Sequence, residues 1–188
     1  QRIRGARRAE GDAGGDHEAV PSDAELARME ALTFEAMEAG ALGFSTSRTY
    51  VHRSRDGQNI GTLTASEAEL LGIAGALKRA GRGVIQLISD AYLTPDDAFA
   101  QREMDLIRAL VRTTGRKLSF TVQQTDDAPD RWKHIFREVA AMNAEGLDVK
   151  TQVAPRPLGV ILSFASTTNP FFICPTYREA AREATTEQ

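Results

Sequence analysis

Arginines, a histidine and a tyrosine crowd one stretch of the chain. Arg48, Tyr50, His52, Arg53, Arg55 and Asp56 all fall between Thr46 and Thr62. A guanidinium makes paired hydrogen bonds to a carboxylate, so Arg48, His52 and Arg53 are candidates to clamp an acidic group, with Tyr50 beside them. Binding loops are often this long, and so are ordinary solvated segments. Three more polar clusters follow: Gln86 with Ser89-Asp90, then Gln123-Gln124-Thr125-Asp126, then Ala154-Pro155-Arg156. The candidate substrate-binding residues are therefore Arg48, Tyr50, His52, Arg53, Gln86, Asp90, Gln124 and Arg156, and no residue is assigned a catalytic role.

Metal ligands are scarce. His17, His52 and His134 lie far apart, and the sequence contains no His-x-His, no His-Glu-x-x-His and no paired cysteine. Cys174 has no base near it in sequence and reads as a structural thiol. Gly81-x-Gly83 precedes a strand-like run, whereas a dinucleotide phosphate loop follows a strand and opens a helix. A nucleotide cofactor is therefore not expected.

The whole composition narrows the classes further. The 188 residues carry a formal net charge of -3, and no basic stripe runs along any helical pattern. A nucleic-acid partner, which requires clustered Lys and Arg, is not expected. One cysteine permits no internal disulfide, which fits a reducing, cytoplasmic setting. No run approaches the ~20 apolar residues of a membrane span. Leu158 to Cys174 comes nearest and is broken by Ser163, Ser166, Thr167, Thr168, Asn169 and Pro170. Gln1 to Arg8 is basic, but no apolar core follows it as a signal peptide would need.

The polar clusters must be positioned by something, and a repeated unit supplies it. Four times a helical pattern runs into glycine and then into a short strand-like run. Gly40 leads into residues 41–46, Gly81 into 83–88, Gly115 into 118–122 and Gly146 into 149–153. Glycine just past a helix closes the last turn in the left-handed conformation. Ser22 with Glu25 and Thr64 with Glu67 have capping-box spacing, and Thr94-Pro95 reads as a cap before a first-turn proline. Apolar residues then recur at helical spacing: Leu26, Met29, Leu32 and Met37; Leu70, Leu71, Ile73 and Leu77; Phe99, Met104, Ile107 and Leu110; Ile135, Phe136 and Val139. Helix, glycine, strand and loop in this rhythm imply parallel strands with right-handed crossovers, either as a doubly wound open sheet or as a barrel. Ser45, Gln86, Ser119, Thr121, Thr151 and Gln152 interrupt the apolar strand residues and favour the barrel. In both architectures the polar clusters fall at the carboxyl ends of strands, where active sites gather.

Glu38-Ala39-Gly40-Ala41-Leu42-Gly43-Phe44-Ser45-Thr46 resembles a stretch typical of the N-acyl-D-amino-acid deacylases, or D-aminoacylases, of the amidohydrolase superfamily. Val153-Ala154-Pro155-Arg156-Pro157-Leu158-Gly159, Asn169-Pro170-Phe171 and Pro175-x-Tyr177-Arg178-Glu179 resemble a later segment of the same family. The resemblance covers Asp23 to Glu183 in order and spacing.

The resemblance implies an α/β fold, a partial (β/α) TIM-type barrel with parallel strands and right-handed crossover helices. It spans residues 22–188, incomplete at both ends, after a flexible segment of residues 1–21. It also implies hydrolysis of a non-peptide carbon–nitrogen bond in an N-acyl-amino-acid-type substrate, with a divalent, zinc-like metal held by residues outside this stretch. At two strand ends where the family carries metal-binding histidines, Ile88 and Val122 occupy the matching positions, so the metal site is reduced or altered. The other readings are a metal-free, inactive barrel that binds a small molecule, and an unrelated α/β protein. The partners expected are a small-molecule substrate, no nucleic acid and no membrane. Open strand edges make a homo-oligomer a further expectation.

Overall fold

A computed structural model describes residues 21–53, 59–159, 161–164, 169–171 and 174–186. The expected flexible segment 1–21, apart from its last residue, and Arg55 and Asp56 lie outside them.

Helix α1 (Asp23–Glu38) opens on a complete capping box: Ser22 N–H donates to Glu25 at 2.9 Å, and Glu25 N–H donates back to the Ser22 hydroxyl at 3.4 Å. Strand β1 (Gly43–Arg48) follows, then α2 (Glu67–Ala80), β2 (Val84–Ser89) and a single 3₁₀ turn at Asp90–Tyr92. The series continues with α3 (Asp97–Thr114), β3 (Lys117–Thr121), α4 (Arg131–Ala144), β4 (Val149–Gln152) and α5 (Pro175–Thr186).

All four expected glycines have positive φ, from 63° at Gly115 to 99° at Gly40. Two helix starts differ from the sequence expectation. Ser66, not Thr64, caps α2, its hydroxyl accepting the Glu69 N–H at 3.2 Å. Asp96, not Thr94, caps α3 by accepting the Phe99 N–H at 3.0 Å, while the Thr94 hydroxyl accepts the Asp96 N–H. In both cases a second capping residue stands two positions further on, and the helix begins there.

The four strands are all parallel and lie in the order β1-β2-β3-β4. Phe44, Ile85, Leu118 and Val149 stand in one register row, and Thr46, Leu87, Phe120 and Thr151 in another. These rows face the helices, and Ile85, Leu87, Leu118, Phe120 and Val149 are buried there with Leu70, Leu77, Met104, Ile107, Leu110 and Ile135. Ser45, Gln86, Ser119 and Lys150 make up a row on the opposite face. One apolar face under helices and one polar face, with strands in sequence order, is the wall of a (β/α) barrel rather than a doubly wound sheet. The chain is a partial TIM-type barrel.

Gly43 shows why the family-like stretch carries glycine there. A Cβ at this position would lie 1.9 Å from the Val84 carbonyl oxygen, so the β1–β2 pairing admits no side chain. None of the described helices is long and apolar enough to cross a membrane.

Candidate functional site

The carboxyl ends of β1 and β2 are joined by a buried ionic cluster. Arg48 leaves the last position of β1 on the helix side, and its Nε and Nη2 both donate to the Glu103 carboxylate of α3, at 2.9 and 2.6 Å. Its Nη1 donates to the Ala65 carbonyl at 2.6 Å. Glu103 also accepts the Ser89 hydroxyl at 2.7 Å, and Ser89 in turn accepts the Ala91 N–H. The Arg48 and Glu103 side chains are 13% and 6% exposed, so this fork-to-fork pair sits largely out of water. The cation proposed to meet a substrate carboxylate is thus already held by a carboxylate of its own chain.

Asp90, next along from Ser89, is buried at 7% exposure. Its Oδ2 accepts the Tyr50 N–H at 2.9 Å and so anchors the chain leaving β1. Its Oδ1 has no partner within hydrogen-bonding geometry, although the Thr49 hydroxyl is near enough to favour the charged form. Burial pushes the Asp90 carboxyl above its ordinary range, and the Glu103 charge adds to this. Thr49, the Tyr50 N–H and His52 oppose it without cancelling it. Burial likewise raises the Tyr92 phenol, with the Asp90 charge second.

The other sequence candidates are placed more loosely. His52 is exposed, with Nδ1 at 2.9 Å from the Ser47 hydroxyl. Tyr50 is 42% exposed, and Arg53 pairs with Asn59 in an isolated antiparallel bridge. Gln86 lies on the polar face of the sheet and accepts the Ser45 hydroxyl. Gln124 and Arg156 donate to the Pro129 and Pro157 carbonyls, each at 3.3 Å. Arg48, Tyr50, His52 and Asp90 are therefore brought together at the rim of β1 and β2. Gln124 and Arg156 belong to the loops after β3 and β4.

Glu103 was missed in the sequence, though a signal was there. It falls among Ala100, Met104 and Ile107, all buried, so a carboxylate at that spacing on α3 demands a buried cation. The facing of Val122 also needs correction. It is 1% exposed within the core, on the helix side, and its N–H donates to the Gln152 carbonyl. A metal-binding side chain of a barrel must point the other way, as the neighbouring Thr121 does. Ile88 does share its face with Ser47 and Gln86. The described residues do not fit a metal ion, since no three His, Cys, Asp or Glu side chains gather as ligands among them.

A separate cavity of about 710 Å³ opens between the start of α3 and α4. Asp97, Gln101, Asp127, Arg131, His134 and Arg137 are among its lining residues, and none of the eight sequence candidates is. Arg131 is tied across it to Asp97 at 2.6 Å.

No family model matches the chain, and no curated protein matches it. Among solved structures, the fold is similar to the N-acyl-D-glutamate deacylase of Bordetella bronchiseptica, complexed with zinc and a phosphonate inhibitor that mimics the reaction's tetrahedral intermediate. The TM-score is 0.57 at 21% identity, over 76% of this chain. This chain spans 27% of the length of that one, and the likeness is one of fold.

Proposed function

We propose that this chain is the wall of an amidohydrolase-type enzyme that cleaves the amide bond of N-acyl-amino-acid-type substrates, with a reduced or altered metal site. The observation that carries the reading is a wall of parallel strands with one polar face, similar in fold to a deacylase and bearing D-aminoacylase-like segments at both ends.

The residues divide the work as follows. Ser45, Gln86, Ser119 and Gln152 present hydroxyls and amides on the polar face, where they can hydrogen-bond the acyl amide. Arg53, His52 and Arg156 stand at the rim to meet a substrate carboxylate, with Tyr50 and Gln124 as neutral contacts. Arg48 acts behind them. Held by Glu103, it ties β1 to α3, and Asp90 fixes the Tyr50 backbone, so the rim is set before substrate arrives. No described residue takes the water-activating role, and a divalent ion would draw its ligands from elsewhere.

The test uses the full-length parent enzyme, N-acyl-D-amino acids with acidic and neutral side chains, and release of free amine. Arg156→Ala should raise KM for the acidic substrate several-fold while leaving kcat within about twofold, as loss of uniform binding does. Equal kinetics with both substrates, in variant and parent alike, would discard the carboxylate role.

Ile88 on the polar face, where a metal-binding side chain would stand, favours a second reading, a metal-free barrel that binds the same class of molecule without turnover. It expects thermal stabilisation by N-acyl amino acids and no amine release, and measurable hydrolysis sinks it.

A further inference from the structure

We infer that the cavity between the starts of α3 and α4 binds a free α-amino acid, the ammonium-bearing product of the deacylation proposed above. The identity as product rests on that reading. The lining residues fall between 95 and 101 and between 127 and 137. They belong to two consecutive units whose strands, β2 and β3, are each paired on both sides, so the cavity is not a feature of either open sheet edge. At about 710 Å³ it falls within the size range of small-molecule sites.

The charges lining it sort into pairs and a remainder. Arg131 binds Asp97 at 2.6 Å and donates to the Thr94 and Pro95 carbonyls at 3.3 and 3.2 Å. It thereby ties the start of α4 to the loop entering α3. Asp130 is held by Lys133 at 2.6 Å. Asp127, His134 and Arg137 remain, with no hydrogen-bond or ion-pair partner among the described residues. His134 and Arg137 lie one turn apart on one face of α4. A long helical side chain leans back toward the N-terminus of its helix, which brings the Arg137 guanidinium toward the imidazole. Asp127 stands in the loop ahead of that helix. The remainder is bipolar: a carboxylate at the loop end, and a guanidinium with an imidazole further along α4.

That polarity selects the ligand. An inorganic anion suits Arg137 and His134 but is repelled by Asp127, and a metal ion suits Asp127 but is repelled by Arg137. A zwitterion satisfies both ends. With one charge-assisted bond at each end, an α-amino acid bridges groups about 8 Å apart. An N-acyl amino acid cannot do this, because its amide nitrogen carries no charge until hydrolysis frees it as an ammonium. The site therefore tells product from substrate. It also stands behind the substrate rim: the Gln124 amide donates at 3.3 Å to the carbonyl of Pro129, which lines the cavity.

Isothermal titration of the full-length parent with D-alanine, propionate and ethylamine tests this, since the last two each lack one charge. D-Alanine should bind about tenfold more tightly than either. Asp127→Asn should erase its advantage over propionate, and Arg137→Gln should weaken D-alanine and propionate alike. Both residues are exposed, and both variants should keep the parent's circular dichroism. Equal binding of the three probes overturns the inference. A preference that survives both substitutions overturns it too, and assigns the amino acid to the polar face of the barrel. Amine release from N-acetyl-D-alanine, measured in parallel, separates this inference from the reading beneath it. Release without charge-matched binding removes the site and leaves the hydrolase standing. Charge-matched binding without release keeps the amino-acid site and overturns its identity as a product site.

Discussion

At the ends of β1 and β2, Arg48, Ser89 and Glu103 share one buried set of charge-assisted bonds, and Asp90 holds the departing chain by the Tyr50 N–H. At the ends of β3 and β4, Gln124 and Arg156 hold carbonyls of nearby loop residues and are exposed. The two halves of one rim therefore differ in what sets them. The first is fixed by the chain's own packing, and its polar groups are largely spoken for. The second has its polar groups toward solvent, held only by single bonds to loop carbonyls. Arg156 is exposed at this rim, whereas Arg48 is largely buried against Glu103.

The sharpest way to break the contrast is Glu103→Ala. It leaves the Arg48 guanidinium buried with the Ala65 carbonyl as its remaining acceptor. Breaking such a pair from one side costs about 3–5 kcal/mol, read as a fall in the urea midpoint with an unchanged slope. A loss comparable to that of a surface substitution would show that the cluster does not fix this half. Gly43→Ala should follow, at about 1–3 kcal/mol or more. Its Cβ would strike the Val84 carbonyl at 1.9 Å, and backbone on both sides must move. Amide exchange should then rise along β1 while β3 and β4 keep their protection.

Asp90→Asn sharpens the comparison through pH. The folded Asp90 carboxyl titrates above the ordinary 3.8 because burial disfavours its charge. Below 3.8 the acid is neutral in folded and unfolded chains alike. As pH rises through that value the unfolded carboxyl ionises first, and the unaltered protein loses stability relative to the variant. The difference stops growing once the folded Asp90 has also ionised. The asparagine chain should thus gain on its parent from acid to neutral pH, in paired urea melts. A gap that narrows with rising pH would mean that Thr49, Tyr50 and His52 outweigh burial.

Much of this scaffold was legible because it rests on short-range rules. Gly40, Gly81, Gly115 and Gly146 end helices with positive φ, and the strand-like runs after them are strands to within a residue or two. Where two solutions stand close together, local rules do not choose. Thr64 and Ser66, or Thr94 and Asp96, are each chemically fit to cap, and the register of the helix on its neighbours decides. Val122 shows the same limit in a strand, where a shift of one residue exchanges lumen for core. The cavity beside α4 was not legible at all, because it is made from two loops and two helices distant in sequence. Glu103 was legible in principle, as a carboxylate in an apolar stripe, but its partner Arg48 lies 55 residues away and nothing local names it.

Arg156→Ala gives the smallest expected effect on stability and is the complement of Glu103→Ala. Arg156 is exposed and donates to the neighbouring Pro157 carbonyl at 3.3 Å, so its removal opens no cavity and strands no buried charge. The cost should stay within about 0.5 kcal/mol in the same urea melts. The double variant Glu103→Ala/Arg156→Ala should then equal the sum of the two single changes, since the groups share no partner. Any coupling beyond about 0.5 kcal/mol would mean that the two halves of the rim touch.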